Sequence, residues 1–141
     1  MTTELNTLDP FDVKAAVTST SLDILDADPL CQIAQAVAQD VQQLHQLAAQ
    51  QPRYAALWDQ AARASSSIYL NIMQGYGKLR GFLSNDLLCA RAEAYETYAA
   101  LALFPKADAD PIKVKVKEVI RLLDDRIRAI PEKHERPAWK N

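Results

Sequence analysis

Prolines cut this chain into helix-sized pieces. From Asp28-Pro29 to Pro52, from Pro52 to Phe104-Pro105, and from Asp110-Pro111 to Pro131, apolar residues recur every three or four positions. That spacing puts them on one face of an α-helix. Proline lacks an N–H and clashes with the preceding turn, so it opens or stops helices rather than continuing them. Asp28 supplies an N-cap acceptor with proline at the first helical position. Leu30, Ile33, Val37, Val41, Leu44 and Leu47 then form a stripe that predicts a first helix running to about Gln50. A second begins near Arg53 and carries Tyr54, Leu57 or Trp58, Ala61, Ser65, Ile68 and Ile72, with its turn at Gly81. A third, capped by Ser84 or Asn85, repeats Leu87 or Leu88, Arg91, Ala94 or Tyr95, Tyr98 and Leu101. The fourth opens at Asp110-Pro111 and carries Ile112, Val116, Val119 or Ile120, Leu123, Ile127 and Ile130.

Four amphipathic helices with short connections predict an all-α, antiparallel up-down-up-down four-helix bundle over residues 28–131. Residues 1–27, with Pro10, Phe11, Val13 and Val17, read as an irregular N-terminal arm that either docks or stays free. Residues 132–141 read as a charged tail in which Trp139 is a candidate contact. An all-helical chain agrees with a composition of only three glycines in 141 residues and 49% hydrophobic residues. No run of about 18 apolar residues exists, so no membrane span is expected. The opening MTTELNTLDP has neither a basic nor an apolar region. A cytoplasmic location without a signal peptide is therefore expected.

The chain offers little to a chemist looking for catalysis. Cys31 and Cys89 lie in separate helices and read as reduced thiols; His45 and His134 stand apart, with no metal-ligand spacing around either. Ser65, Ser66 and Ser67 have no neighbouring base, ExxH pairs are absent, and neither glycine-rich phosphate-loop spacing occurs. No enzyme activity and no cofactor are expected. The net charge of −2 is unevenly spread. Residues 1–52 carry one basic and seven acidic side chains, residues 53–104 five and four, and residues 105–141 ten and seven. Lys113, Lys115, Lys117, Arg121, Arg126 and Arg128 occupy the polar faces of the fourth helix. The glutamines of the first helix (Gln32, Gln35, Gln39, Gln42, Gln43 and Gln46) form either a neutral solvated surface or a subunit contact, since amides cost less to dehydrate than charges.

One stretch is more specific. Ile68, Asn71, Ile72 and Gly75 fall on one helical face, placing an amide inside an apolar stripe. A buried amide needs partners, and Glu96 on the next helix is the expected one. That pair would fix helix register in the core. The segment Ser67-Ile68-Tyr69-Leu70-Asn71-Ile72-Met73-Gln74-Gly75-Tyr76-Gly77 resembles the S-I-x-x-N-I-A-E-G-x-G motif of a family of small four-helix-bundle proteins. Ala90-Arg91-Ala92-Glu93-Ala94-Tyr95-Glu96 resembles that family's A-R-G-S-x-x-E. Gln74 stands where the family usually has Glu, and Ala92-Glu93 where it has Gly-Ser. The family comprises proteins encoded in 23S rRNA intervening sequences and the accessory proteins of diversity-generating retroelements. The resemblance covers about residues 30 to 130. It implies a homopentameric ring that binds a reverse transcriptase and nucleic acid during mutagenic retrohoming. The intervening-sequence branch implies instead a structural or protein-binding oligomer without nucleic-acid contact.

The residues expected to contact phosphate, weakly and without sequence specificity, are Arg53, Arg63, Lys78, Arg80, Arg91, Lys113, Lys117 and Arg121. The competing reading makes these solvated faces, paired in part with Glu118, Asp124 and Asp125. Lys113, Lys117 and Arg121 follow one another at i, i+4 and i+8, which suggests a single basic stripe.

Overall fold

The computed structural model describes residues 22–78 and 83–130, and within them the secondary structure is helical throughout. The helices are α1 (Leu22–Ala27), α2 (Pro29–Gln43), α3 (His45–Gln50), α4 (Ala55–Gly77), α5 (Leu83–Leu101) and α6 (Lys106–Ala129), with a 3-10 turn at Pro52–Tyr54 before α4. The helices pack together around one core. Helix α4 packs most extensively on α5, and α2 and α6 each touch both neighbours: α2 lies against α4 and α6, and α5 against α4 and α6. Leu30, Val37 and Val41 of α2 meet Ile68 and Ile72 of α4, Leu87 and Leu101 of α5, and Val116, Leu123 and Ile127 of α6 there, all fully buried. Burying one such side chain contributes about 1.5–3 kcal/mol. Ala61, Ala64, Ser65 and Gly75 of α4 and Ala90 and Ala94 of α5 are buried small residues. They let the two helix backbones approach closely.

Several boundaries differ from the sequence expectation, each for a local reason. Residues 22–27 of the expected irregular arm form α1, because Leu25 reaches the core at 4% exposure. The first long helix is interrupted at Leu44. The Val41 carbonyl there accepts both the Leu44 N–H at 3.0 Å and the Trp58 indole N–H at 3.0 Å, which tightens the last turn of α2. The final helix starts at Lys106, so Pro111 sits inside it instead of opening it. The extra turn buries Ala109, and Phe104 just before it stacks on Tyr54 with ring centroids 5.5 Å apart. Helix α5 starts at Leu83, which places Ser84 and Asn85 within its first turn and not at its cap. The remaining expectations for the arm (Pro10, Phe11, Val13, Val17), the turn glycine Gly81, Arg80, and the tail with Trp139 lie outside the described residues.

One polar cluster holds the helices at a shared end. Asp28 is fully buried and caps α2 by accepting the Cys31 N–H at 3.2 Å. Its carboxylate is also paired with the Arg126 guanidinium, whose Nη1 donates to Asp28 Oδ2 at 3.2 Å and whose Nη2 donates to Oδ1. Nη1 donates as well to the Tyr76 hydroxyl at 2.8 Å. The start of α2 and the end of α4 thus both meet the Arg126 guanidinium at the end of α6. The sequence pattern puts Arg126 on a solvated face, yet it is 6% exposed. Burial opposes its charge, but the hydrogen bonds to Asp28 and Tyr76 outweigh that and hold it above its ordinary pKa. Burial pushes the Tyr76 hydroxyl up to about 12. Burial, reinforced by the Asp28 charge, also pushes the Cys31 thiol far above its usual range. Cys31 is accordingly a packed apolar residue, while the other free cysteine, Cys89, is exposed.

Candidate nucleic-acid interface

Helices α5 and α6 lie side by side, and helical spacing puts Arg91, Tyr95 and Tyr98 of α5 opposite Lys113, Lys117, Ile120 and Asp124 of α6. Arg91 Nε donates to Asp124 Oδ1 at 2.6 Å across the helix pair, and Arg91 Nη2 donates to the Tyr95 hydroxyl at 3.2 Å. The guanidinium lies 4.7 Å from the centre of the Tyr95 ring. The bond to Asp124 raises the Arg91 pKa against the opposing effect of burial. One turn along, the Lys113 and Lys117 ammonium groups stand 4.9 and 5.8 Å from the centre of the Tyr98 ring. Tyr95, Tyr98, Lys117 and Ile120 line a shallow, largely apolar hollow between the two helices. Tyr95 keeps 50% of its surface exposed.

The structure brings two of the eight expected phosphate contacts, Lys113 and Lys117, together at the Tyr98 ring, while Arg91 on the same helix pair is engaged by Asp124. Arg121 does not join them. Eight residues are more than two full turns at 3.6 residues per turn, so the stripe drifts by roughly 80° between Lys113 and Arg121. Arg121 points instead along its own helix, donating to Glu118 and, at 3.1 Å, to Asp125. The hydrogen bond from Arg121 holds the Glu118 carboxyl below its usual range. Arg63 is likewise engaged by Asp59 at 2.6 Å on α4, and Lys78 Nζ lies 3.2 Å from Asp86. Arg53 donates to Gln51 Oε1 at 3.2 Å and stands 4.9 Å from the Tyr54 ring centre. The exposed pair of Arg63 with Asp59 adds little stability, typically about 0–1 kcal/mol, but the carboxylates on Arg63, Lys78 and Arg121 cancel local positive potential. Lys117 has no carboxylate within ion-pair distance among the described residues, and Lys113 has only Asp110 at 3.9 Å.

The expected Asn71–Glu96 partnership is not formed. Asn71 Nδ2 donates to the Ser67 carbonyl one turn back on its own helix, at 2.9 Å. Glu96 is exposed and accepts from Gln60 at 3.4 Å. A short amide one turn beyond a carbonyl within its reach satisfies itself locally, which removes the need for a cross-helix acceptor. Glu93 and Glu96 share a second hollow with Gln60, Arg63, Ala64 and Ser67 on the α4 side of α5. Partial burial, together with the neighbouring Glu96 charge, raises the Glu93 pKa.

Sequence reading misses Tyr95 and Tyr98 as members of the α5–α6 cluster, because the two tyrosines continue the third helix's apolar stripe; Asp124 pairs with a basic position, as the competing reading expects. The available signal is the pairing of Arg91 with Tyr95 at i, i+4 and the lysines at the same interval on the next helix. Among the described residues no three His, Cys, Asp or Glu side chains gather as metal ligands would. None of the described helices is long and apolar enough to cross a membrane. Compared with family models, curated proteins and solved structures, the chain matches none.

Proposed function

We propose that this chain is a non-catalytic accessory protein of a diversity-generating retroelement. In this reading its helices form an antiparallel up-down-up-down four-helix bundle that assembles into a homopentameric ring. The ring acts as an adapter, binding a reverse transcriptase and contacting RNA or DNA weakly and without sequence specificity. The observation that carries the nucleic-acid part is the α5–α6 groove, where Lys113 and Lys117 stand over Tyr98 with little carboxylate compensation. The partner and the ring rest on the resemblance of Ser67–Gly77 and Ala90–Glu96 to the family motif. Five copies of a weak groove around a ring would raise avidity without any new contact.

A second reading has its own observation. Arg63, Lys78 and Arg121 are each neutralised by a carboxylate, which favours a structural or protein-binding oligomer of the intervening-sequence type with no nucleic-acid contact. Light scattering after size exclusion tests the ring. The expected mass is five times the 15.7 kDa chain, and a monomer at micromolar concentration refutes it. Co-purification with the reverse transcriptase encoded beside it tests the adapter role. Absence of any such neighbouring gene, or no complex with the ring intact, leaves the structural reading standing.

A further inference from the structure

We propose that the α5–α6 groove binds single-stranded nucleic acid, with an unpaired base stacked at Tyr95 and the flanking phosphates on Lys113 and Lys117. The inference rests on the nucleic-acid part of the proposed function and names the form of the ligand.

Three features of the groove select this occupant. Its floor is aromatic and aliphatic: Tyr95 with half its surface open, Tyr98, and Ile120. Such a surface accepts the flat face of a base, which a duplex keeps inside its stack. Its rim carries two adjacent ammonium groups with little carboxylate compensation, Lys113 and Lys117, at a spacing of one helical turn. Two neighbouring cations suit two successive phosphates of a flexible strand. The surrounding surface supplies no longer basic track: Arg121, which would extend the row, is bound to Glu118 and Asp125. A duplex held by its backbone needs an extended row of cations, and this surface interrupts that row after two. Arg91 is engaged by Asp124 and holds the Tyr95 side chain through its guanidinium over the ring and its bond to the hydroxyl, so it is not counted among the phosphate contacts.

The test uses the assembled protein, with fluorescence anisotropy of a short labelled oligo-uridylate, an oligo-thymidylate of equal length, and a duplex of the same length. Both single strands are expected to bind more tightly than the duplex. Tyr95→Ala is expected to weaken single-strand binding about 5- to 150-fold, the range that loss of one base–aromatic stack produces. Tyr95→Phe, which keeps the ring and loses only the hydroxyl, is expected to retain it. Lys117→Glu provides a surface variant that leaves the core alone and should also weaken binding, whereas Gln39→Glu on the exposed face of α2 should not. With about two phosphates engaged, raising salt from low to fourfold higher should weaken binding about sevenfold, a shallow dependence. Equal affinity for duplex and single strand, unchanged in Tyr95→Ala, overturns the groove assignment while leaving nucleic-acid contact in place. No binding of any of the three by an intact assembly overturns both.

Discussion

Replacing Arg126 with methionine should cost this protein a large part of its stability. The side chain is 6% exposed and faces a carboxylate, Asp28, with no exposure at all. Removing the cation strands that carboxylate in the core and takes a donor away from the Tyr76 hydroxyl. Breaking a buried pair from one side typically costs about 3–5 kcal/mol, against a total stability of about 5–15 kcal/mol for a domain of this kind. At roughly 3–5 °C per kcal/mol for this size, the melting temperature should fall on the order of 10–20 °C. The companion variant Asp28→Ser with Arg126→Met removes both charges and keeps a serine at the N-cap of α2. It should return to within about 2 kcal/mol of wild type, the remaining deficit being the Tyr76 hydroxyl without its partner. Urea unfolding followed by helical circular dichroism gives the midpoint and slope for each variant. An Arg126→Met protein within about 1 kcal/mol of wild type, or a double variant no better than the single one, would refute the stranded Asp28 carboxylate as the cause of the loss.

Asn71→Leu should change stability by no more than about 1 kcal/mol, because the amide's bond is to its own helix; a loss near 3 kcal/mol in the same urea assay would restore a cross-helix partner. A thiol reagent at mildly alkaline pH should titrate one cysteine in the native protein, Cys89, and two after denaturation, since burial keeps Cys31 protonated; two fast thiols in the native state would contradict the packing around Asp28. Tyr76 has its hydroxyl pKa raised to about 12, so its contribution to stability is complete below its ordinary value near 10 and lost as pH climbs toward 12. Melting curves of wild type and Tyr76→Phe across that window should converge as pH rises, and parallel curves would sink the assignment. Glu93, whose pKa is raised by partial burial and by Glu96, favours folding only while protonated. Glu93→Gln should therefore melt slightly higher than wild type at neutral pH and match it in acid; a gap that persists in acid would mean the charge is not the cause.

The helices are legible in the sequence because their stripes are long and punctuated. Leu30, Val37 and Val41, then Ile112, Val116 and Leu123, are buried where a 3.6-residue period puts them. Proline is a less certain guide. Asp28-Pro29 opens a helix, but Asp110-Pro111 does not, because Phe104 and Ala109 find burial that pulls one more turn into α6. The break at Leu44 depends on the Trp58 indole reaching Val41, a contact no local pattern encodes. Polar residues are harder still. Arg126 looks like its neighbours Arg121 and Arg128 in sequence, and only the arrival of Asp28 at the end of α6 makes it a core residue. At Asn71 the sequence shows an amide in an apolar stripe without showing that the Ser67 carbonyl lies within its own reach. The candidate groove is half visible: the cations stand out, but the tyrosines beneath them share the spacing of ordinary core positions.

The clasp between Asp28 and Arg126 joins residues 98 positions apart in the chain. Closing so long a loop is entropically slow to reward, so a chain emerging from its N-terminus carries an unpaired carboxylate at the head of α2 until its last helix has been made. The pair should therefore lock the structure after the helices have met and take no part in bringing them together. In kinetic terms, Arg126 variants should speed unfolding and leave the refolding rate almost untouched. A slowed refolding arm in stopped-flow chevrons would instead place this contact at the nucleus. The position of a single arginine should thus make the fold slow to open without making it quick to form.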